Sequence, residues 1–197
     1  MKLIYKTILA ASILTTEMNS VAQAQKLLME TDKGNLKIQL DSKRAPVTCE
    51  NFMKYVDEKK YEGAVFYRVV RLDNQPDKKV KIEVIQGGVK DDTTKNLPPI
   101  FHETTKITNL KHLDGTLSMA RNGPGTASSE FFICINKQPE LDFGGKRNPD
   151  GQGFAAFGQV ISGMDVVRKI QVGDTGSGNA SQTLKEPVKI IRISRIK

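Results

Sequence analysis

From Leu36 the chain alternates strictly, with Leu36, Ile38 and Leu40 on one side and Lys37 and Gln39 on the other. A period of two marks a strand buried on one face, and the turn-forming "DKGN" before it makes the segment part of a β-hairpin. The period then changes. Thr48, Phe52, Tyr55 and Val56 recur at helical spacing after Pro46, which suits a first helical position, so an amphipathic helix is predicted from 46 to about 58. Strand-like runs return in "AVFYRVV" and "KIEVIQ", separated by the polar loop "RLDNQPDKK", and again in "LSMA", "FFICI" and "FAAFGQVI". Ser162 and Asp165 resemble a capping box for a short second helix through Ile170, with Met164, Val167 and Ile170 turned inward. The β-branched "PVKIIRISRI" closes the pattern as a last strand. Many short strands with two helices predict a closed antiparallel barrel or a sandwich, and the period alone does not separate them.

The first 24 residues follow another logic. Lys2 and Lys6 give a positive start, "TILAASIL" a short apolar stretch, and Ala22 and Ala24 small residues before Gln25. That is the pattern of a cleavable export signal, and the stretch is well short of the roughly 20 apolar residues that span a bilayer. Residues 1–24 are therefore expected to be a signal peptide and 25–197 a single domain, periplasmic or secreted, with no membrane span once the signal is removed. The 197 residues suffice for one sizeable core.

Losing Lys2, Lys6 and Glu17 would lower the net charge from +8 to +7. The basic residues are scattered, without a basic helix or aromatic interleaving, which argues for solubility charge and against a nucleic-acid partner. Cys49 falls in the predicted helix and Cys134 in an apolar strand, settings in which free thiols act as small hydrophobes. With His102 and His112 they show no metal-ligand spacing, so no metal is expected.

"GTLSMARNGPGTASSEFFICI", Gly115 to Ile135, holds the densest chemistry: two apolar runs around a stretch of Gly, Pro, Ser, Thr and Ala that keeps bulk away from the backbone. Taken with "VFYRVV", "VIQGG", "IFHE", "LD" and "AAFGQVISGMDVV", in that order, the chain resembles the cyclophilin-type peptidyl-prolyl isomerases over nearly all of residues 25–197. The resemblance implies a closed eight-stranded antiparallel β-barrel capped by two α-helices, an outer groove, and cis/trans isomerisation of proline bonds without a cofactor. It also implies proline-containing segments of unfolded or exported proteins as partners, and a monomer.

Peptide-bond rotation has a barrier of about 18–20 kcal/mol because the nitrogen lone pair is conjugated with the carbonyl. Lowering it takes no nucleophile, metal or proton transfer. A donor that pairs with the nitrogen only in the twisted state is differential binding, and each ~1.4 kcal/mol so gained is a tenfold rate. Arg68 matches the family's catalytic arginine, with always-charged, fixed donors. Phe132 matches the aromatic that packs on the proline ring, while Phe131 alternates into the core. Phe66, Tyr67 and Gln86 match further substrate positions, and Ala120, Arg121 and Asn122 are expected to line the groove's edge, where an extended peptide would bond to their backbone, chiefly at Asn122. Leu141 and Phe154 supply apolar wall.

The departures carry equal interest. Tyr67 stands where the family usually has His, Glu130 where it has a groove Gln, Glu140 where many relatives place a rim aromatic, and Phe154 where a pocket His is usual. Glu130 would either pair with Arg68 or hold it away from the nitrogen. The loop before "KIEVIQ" is lengthened, so the family's groove Phe has no match near Glu83 and Val84, and "GGKRNPDGQG" adds a lip beside the pocket. These changes leave an alternative: a non-catalytic module or chaperone that grips proline segments in the same groove.

Overall fold

The computed structural model describes residues 25–90 and 92–196. The expected signal peptide, 1–24, lies outside them. Eight strands form a closed barrel: β1 (Lys26–Thr31), β2 (Gly34–Leu40), β3 (Val65–Val70), β4 (Val84–Gly88), β5 (Thr116–Met119), β6 (Phe131–Cys134), β7 (Ala155–Ser162) and β8 (Thr183–Arg195). Around the barrel they run β1-β2-β7-β5-β6-β4-β3-β8, and β8 pairs back onto β1. Every pairing is antiparallel. Closure removes the exposed edges that a sandwich would leave.

The interior is filled from alternate strand positions, Leu36, Ile38 and Leu40 among them, as their period requires. Helix α1 (Pro46–Asp57) adds Phe52 and Tyr55 to this core. Phe52 packs with its ring centroid 5.1 Å from Tyr61, 5.5 Å from Phe131 and 5.2 Å from Phe157. Such offset and edge contacts add to the apolar burial itself.

The start of α1 is capped from a distance. Ala45 at the N-cap has no side-chain acceptor, and Pro46 has no N–H to satisfy. Buried Glu103 accepts the next two: Val47 N–H at 3.2 Å and Thr48 N–H at 2.8 Å, with the Thr48 hydroxyl at 2.6 Å. A carboxylate there also meets the positive end of the helix dipole.

Both predicted helices are present, and one detail of the second needs correcting. Beyond the two predicted helices there is a four-residue helix, α2 (Thr105–Thr108), too short for periodicity to reveal. Helix α3 (Met164–Gln171) is where the pattern places it, but Ser162 does not cap it. Ser162 remains the last residue of β7, paired with Lys37, and the N-cap is Gly163 at φ 97°. A Cβ on Gly163 would overlap the Asn35 carbonyl, so the tight passage from strand to helix demands glycine.

Cys49 and Cys134 are both buried free thiols, as their settings predict. Cys49 Sγ donates to the Phe157 carbonyl at 3.3 Å, and burial pushes its pKa up to about 12. Among the described residues no helix is long and apolar enough to cross a membrane.

Candidate active site

One row of residues crosses four adjacent strands on the barrel's outer face. Arg68 on β3 pairs with Gln86 on β4, Gln86 with Phe132 on β6, and Phe132 with Ser118 on β5. Alternation explains most of it: Ile85, Phe131, Ile133 and Leu117 point into the core, so their neighbours Gln86, Phe132 and Ser118 point out.

Arg68 breaks alternation. Phe66 and Val69 belong to the interior cluster, which leaves both Tyr67 and Arg68 outside. A register shift between Phe66 and Arg68 makes this possible on both flanks of β3: against β8 the pairing jumps from Phe66–Val188 to Arg68–Thr183. A bulge of this kind re-aims a side chain. It also corrects one expectation, because fully buried Phe66 faces the core and is no part of the groove.

The shift brings Gln182, next to Thr183, up to Arg68. Gln182 Oε1 accepts Arg68 Nε–H at 3.0 Å and Nη2–H at 2.6 Å, and Gln86 Oε1 accepts Nη1–H at 2.7 Å. Of the five N–H groups a guanidinium carries, one on each Nη stays available. Burial lowers the Arg68 pKa, with Tyr67 opposing, but arginine starts far enough above neutrality to remain charged.

Glu130 reaches Arg68 only through intermediaries. Its Oε2 accepts from Tyr67 Oη–H at 2.7 Å, and its Oε1 from Lys90 N–H at 2.8 Å. Tyr67 Oη in turn accepts Gln86 Nε2–H at 2.8 Å, which turns Gln86 Oε1 toward Arg68. Burial first, then the Glu130 carboxylate, pushes the Tyr67 pKa well above its usual range, so the phenol stays a donor. Each group in the chain Glu130–Tyr67–Gln86–Arg68 thus has its donor direction set by the one before. Gly88 makes room for it, since a Cβ there would overlap the Glu130 carboxylate.

The groove beside this row has a volume of about 430 Å³ and is lined by Arg68, Gln86, Ala120, Arg121, Asn122, Phe132, Leu141 and Phe154, together with residues of the two lengthened loops. Its floor is a small apolar cluster outside the barrel: Val70, Ile82, Val84, Phe132, Cys134 and Leu141, with Ala120 and Phe154 against it. Nine of the ten substrate-contacting positions expected from sequence therefore border this groove or the adjoining one, of about 330 Å³, that holds Tyr67 and Glu130.

Two of the nine differ in role from their simplest reading. The Arg121 guanidinium is fully enclosed: Nε and Nη2 donate to the Gly153 carbonyl at 2.9 and 2.6 Å, and Nη1 and Nη2 to Asp150 at 2.8 and 2.9 Å. That pairing holds Asp150 down to about 2 and clasps the added lip to the groove's edge. Asn122 N–H is already taken by Thr126 Oγ1 at 3.1 Å; among the described residues nothing donates to its carbonyl, the group left for a ligand's N–H. Glu140, expected at the rim, instead accepts Lys146 N–H at 2.7 Å and does not line the groove.

Periodicity did not disclose what holds Phe132. His112, buried, stacks on its ring at 6.0 Å and 16°, and Phe154 meets its edge at 5.2 Å. Ionised Asp142 can only accept, so His112 Nδ1–H donates to it at 2.8 Å and, in the neutral ring, Nε2 accepts from Ser118 Oγ–H at 2.9 Å. Burial works to raise the Asp142 pKa, but the hydrogen bonds His112 donates to it from ring and backbone, with the Lys111 ammonium nearby, outweigh it and leave the carboxyl below its ordinary value. A Ser–His–Asp sequence suggests a nucleophile, but Ser118 is fully enclosed, so the trio serves as a polar brace under the Phe132 ring.

Comparison with known proteins agrees with this geometry. The family described as "Cyclophilin type peptidyl-prolyl cis-trans isomerase/CLD" matches residues 26–195. A peptidyl-prolyl cis-trans isomerase of Acinetobacter baylyi is 35% identical over 84% of this chain and 82% of its own. Peptidyl-prolyl cis-trans isomerase A of Dickeya dadantii is 31% identical over 97% of both chains. A crystal structure of a Cryptosporidium parvum cyclophilin, 23% identical, superposes with a TM-score of 0.70 over 88% of this chain and 98% of its own, a likeness of fold. With barrel, row and groove in place, the chain belongs to the cyclophilin-type peptidyl-prolyl cis-trans isomerase family.

Proposed function

We propose that this isomerase turns Xaa-Pro bonds in exported proteins, with Arg68 donating to the prolyl nitrogen as the bond twists and Phe132 holding the ring. The reading rests on the row Arg68–Gln86–Phe132, which puts a charged donor with unused N–H groups and an aromatic floor in one groove. In the planar amide the nitrogen lone pair is delocalised and accepts poorly; in the twisted state it localises and accepts well. Gln86 and Gln182 hold the guanidinium before substrate arrives, so little is spent on orienting it during rotation. The non-catalytic reading supposed that Glu130 and Glu140 spoil turnover, and it loses that motive once both carboxylates have other partners.

Export is proposed from residues 1–24 alone. A cut after Ala24 would leave β1, which begins at Lys26, whole. N-terminal sequencing of the protein recovered outside the cytoplasm should begin at Gln25, and size-exclusion chromatography should find a monomer.

The deciding experiment is isomerisation of a short Ala-Pro peptide by wild type and by Arg68→Ala. Loss of one transition-state hydrogen bond from a charged donor, about 2–3 kcal/mol, predicts a fall in kcat/KM of about a hundredfold. Equal rates would remove Arg68 from the mechanism.

A further inference from the structure

The groove carries an imbalance of charge that rotation of a neutral peptide does not require. Arg68, Lys78, Arg121 and Arg147 all line it, and among the described residues no Asp or Glu does. Arg121 is neutralised by Asp150 just behind the wall. The other three are not. Arg68 is held by two amide oxygens. Arg147 Nη1 donates to Gln75 Oε1 at 2.8 Å and to the Val80 carbonyl at 2.6 Å, both neutral. The Lys78 ammonium is exposed and has no hydrogen bond or ion pair among the described residues.

The origin of these cations matters. Arg147 belongs to the lip "GGKRNPDGQG" and Lys78 to the loop before β4, the two segments read from the sequence as longer than the family's pattern. Arg147 joins one to the other through Gln75, which also holds Arg71 O at 2.7 Å and Ile82 O at 2.8 Å. Its guanidinium is thus fixed in place before any ligand arrives, which reduces the ordering that binding must impose. Burial, and then the charge of Arg68, push its pKa down, as expected of a cation facing another without a counter-ion.

Resting on the reading of this groove as the site of Xaa-Pro rotation, we propose that it selects peptides bearing a carboxylate side chain beside the proline, bound by Arg147 and Lys78. A carboxylate there supplies the counter-ion the wall lacks, in a half-buried setting where screening is weaker than on the open surface. A lysine in the same place would add a further positive charge and be rejected. The specificity would reside in the two lengthened loops and the rotation in the row beneath them.

The test uses short peptides with Glu, Gln or Lys immediately before the proline, and a second set with the same residues immediately after it. Turnover and, in parallel, affinity by titration calorimetry are measured for each. In at least one set Glu should exceed Gln in both kcat/KM and affinity by about tenfold, about 1.4 kcal/mol, at low salt. Lys should fall below Gln, and added salt should narrow the differences. Arg147→Gln and Lys78→Gln should each shrink the Glu/Gln ratio; Lys78, being exposed, keeps the test valid if Arg147→Gln folds poorly. Lys54→Gln, which removes the same charge from α1, should leave the ratio alone. Equal affinities for Glu and Gln in both sets, or a ratio that follows Lys54 as closely as Lys78, would overturn the proposal. Discrimination in binding without turnover of any peptide would uphold it and overturn the catalytic reading instead.

Discussion

Phe131 packs inside the barrel among Phe52, Tyr61 and Phe66, whereas Phe132, one residue on, lies outside against His112 and Phe154 at the floor of the groove. Both are almost wholly covered, at 0% and 4% exposure, so burial does not tell them apart. Their surroundings do. Around Phe131 ring meets ring, and its own position is set by apolar packing, the Tyr61 hydroxyl in that cluster being engaged elsewhere as a donor to the Ser129 carbonyl at 2.9 Å. Around Phe132 the ring rests on a chain of hydrogen bonds that fixes its position with directional groups. The inner face supplies stability and the outer face geometry, and a single β-strand serves both because its side chains alternate.

The contrast is sharpest under truncation. Phe131→Ala should cost about 3–5 kcal/mol in denaturant unfolding, with kcat/KM per folded molecule close to wild type. Phe132→Leu, which keeps an apolar side chain, should lower stability by less than about 1.5 kcal/mol yet reduce kcat/KM by about tenfold. If both variants lost stability and activity in the same proportion, the division between the faces would fail.

The brace beneath Phe132 should answer to pH. The Asp142 pKa in the folded protein lies below the ordinary value of 3.8, so its contribution is fully present above that value and lost as pH falls through the folded pKa. Asp142→Asn should therefore cost about 1–3 kcal/mol near neutrality, the penalty of a weakened buried hydrogen bond. The gap to wild type should close as unfolding is followed below about pH 4. A gap that stayed constant with pH would mean that Asp142 acts through packing alone.

Smaller effects distinguish the positioning chain from the brace. Tyr67→Phe leaves Gln86 Nε2 without an acceptor and should cost about 1 kcal/mol of stability and a few-fold in kcat, with KM little changed. Least affected of all are the thiols: with its pKa raised to about 12, Cys49 should resist alkylation at pH 8 until the protein is unfolded, as mass spectrometry would record.

Local pattern was enough to read most of the frame. Leu36, Ile38 and Leu40 announce β2, and Pro46 announces the start of α1, because each depends on a chain period or a backbone preference that neighbours alone determine. What escaped depends on residues distant in the chain. The bulge that puts Tyr67 and Arg68 on one side cannot be seen in "FYR": simple alternation would separate these two, and the family match alone does not show that Phe66 turns inward beside them. Gln182 lies in a Gly-rich stretch 114 residues beyond Arg68, and His112 meets Asp142 across 30. The family motif points to residues that line the groove, but those that hold them are recognised only when the strands close.

The Glu103 carboxylate under α1 has a consequence for assembly. It lies 55 residues beyond Thr48, whose N–H it accepts, so a nascent chain that has emerged only as far as Asp57 has nothing to receive the N–H groups of Val47 and Thr48 except water. Short helices are marginal without such help. Helix α1, early in the order of synthesis, is therefore among the later elements to become secure, waiting on a segment made after half the barrel's strands.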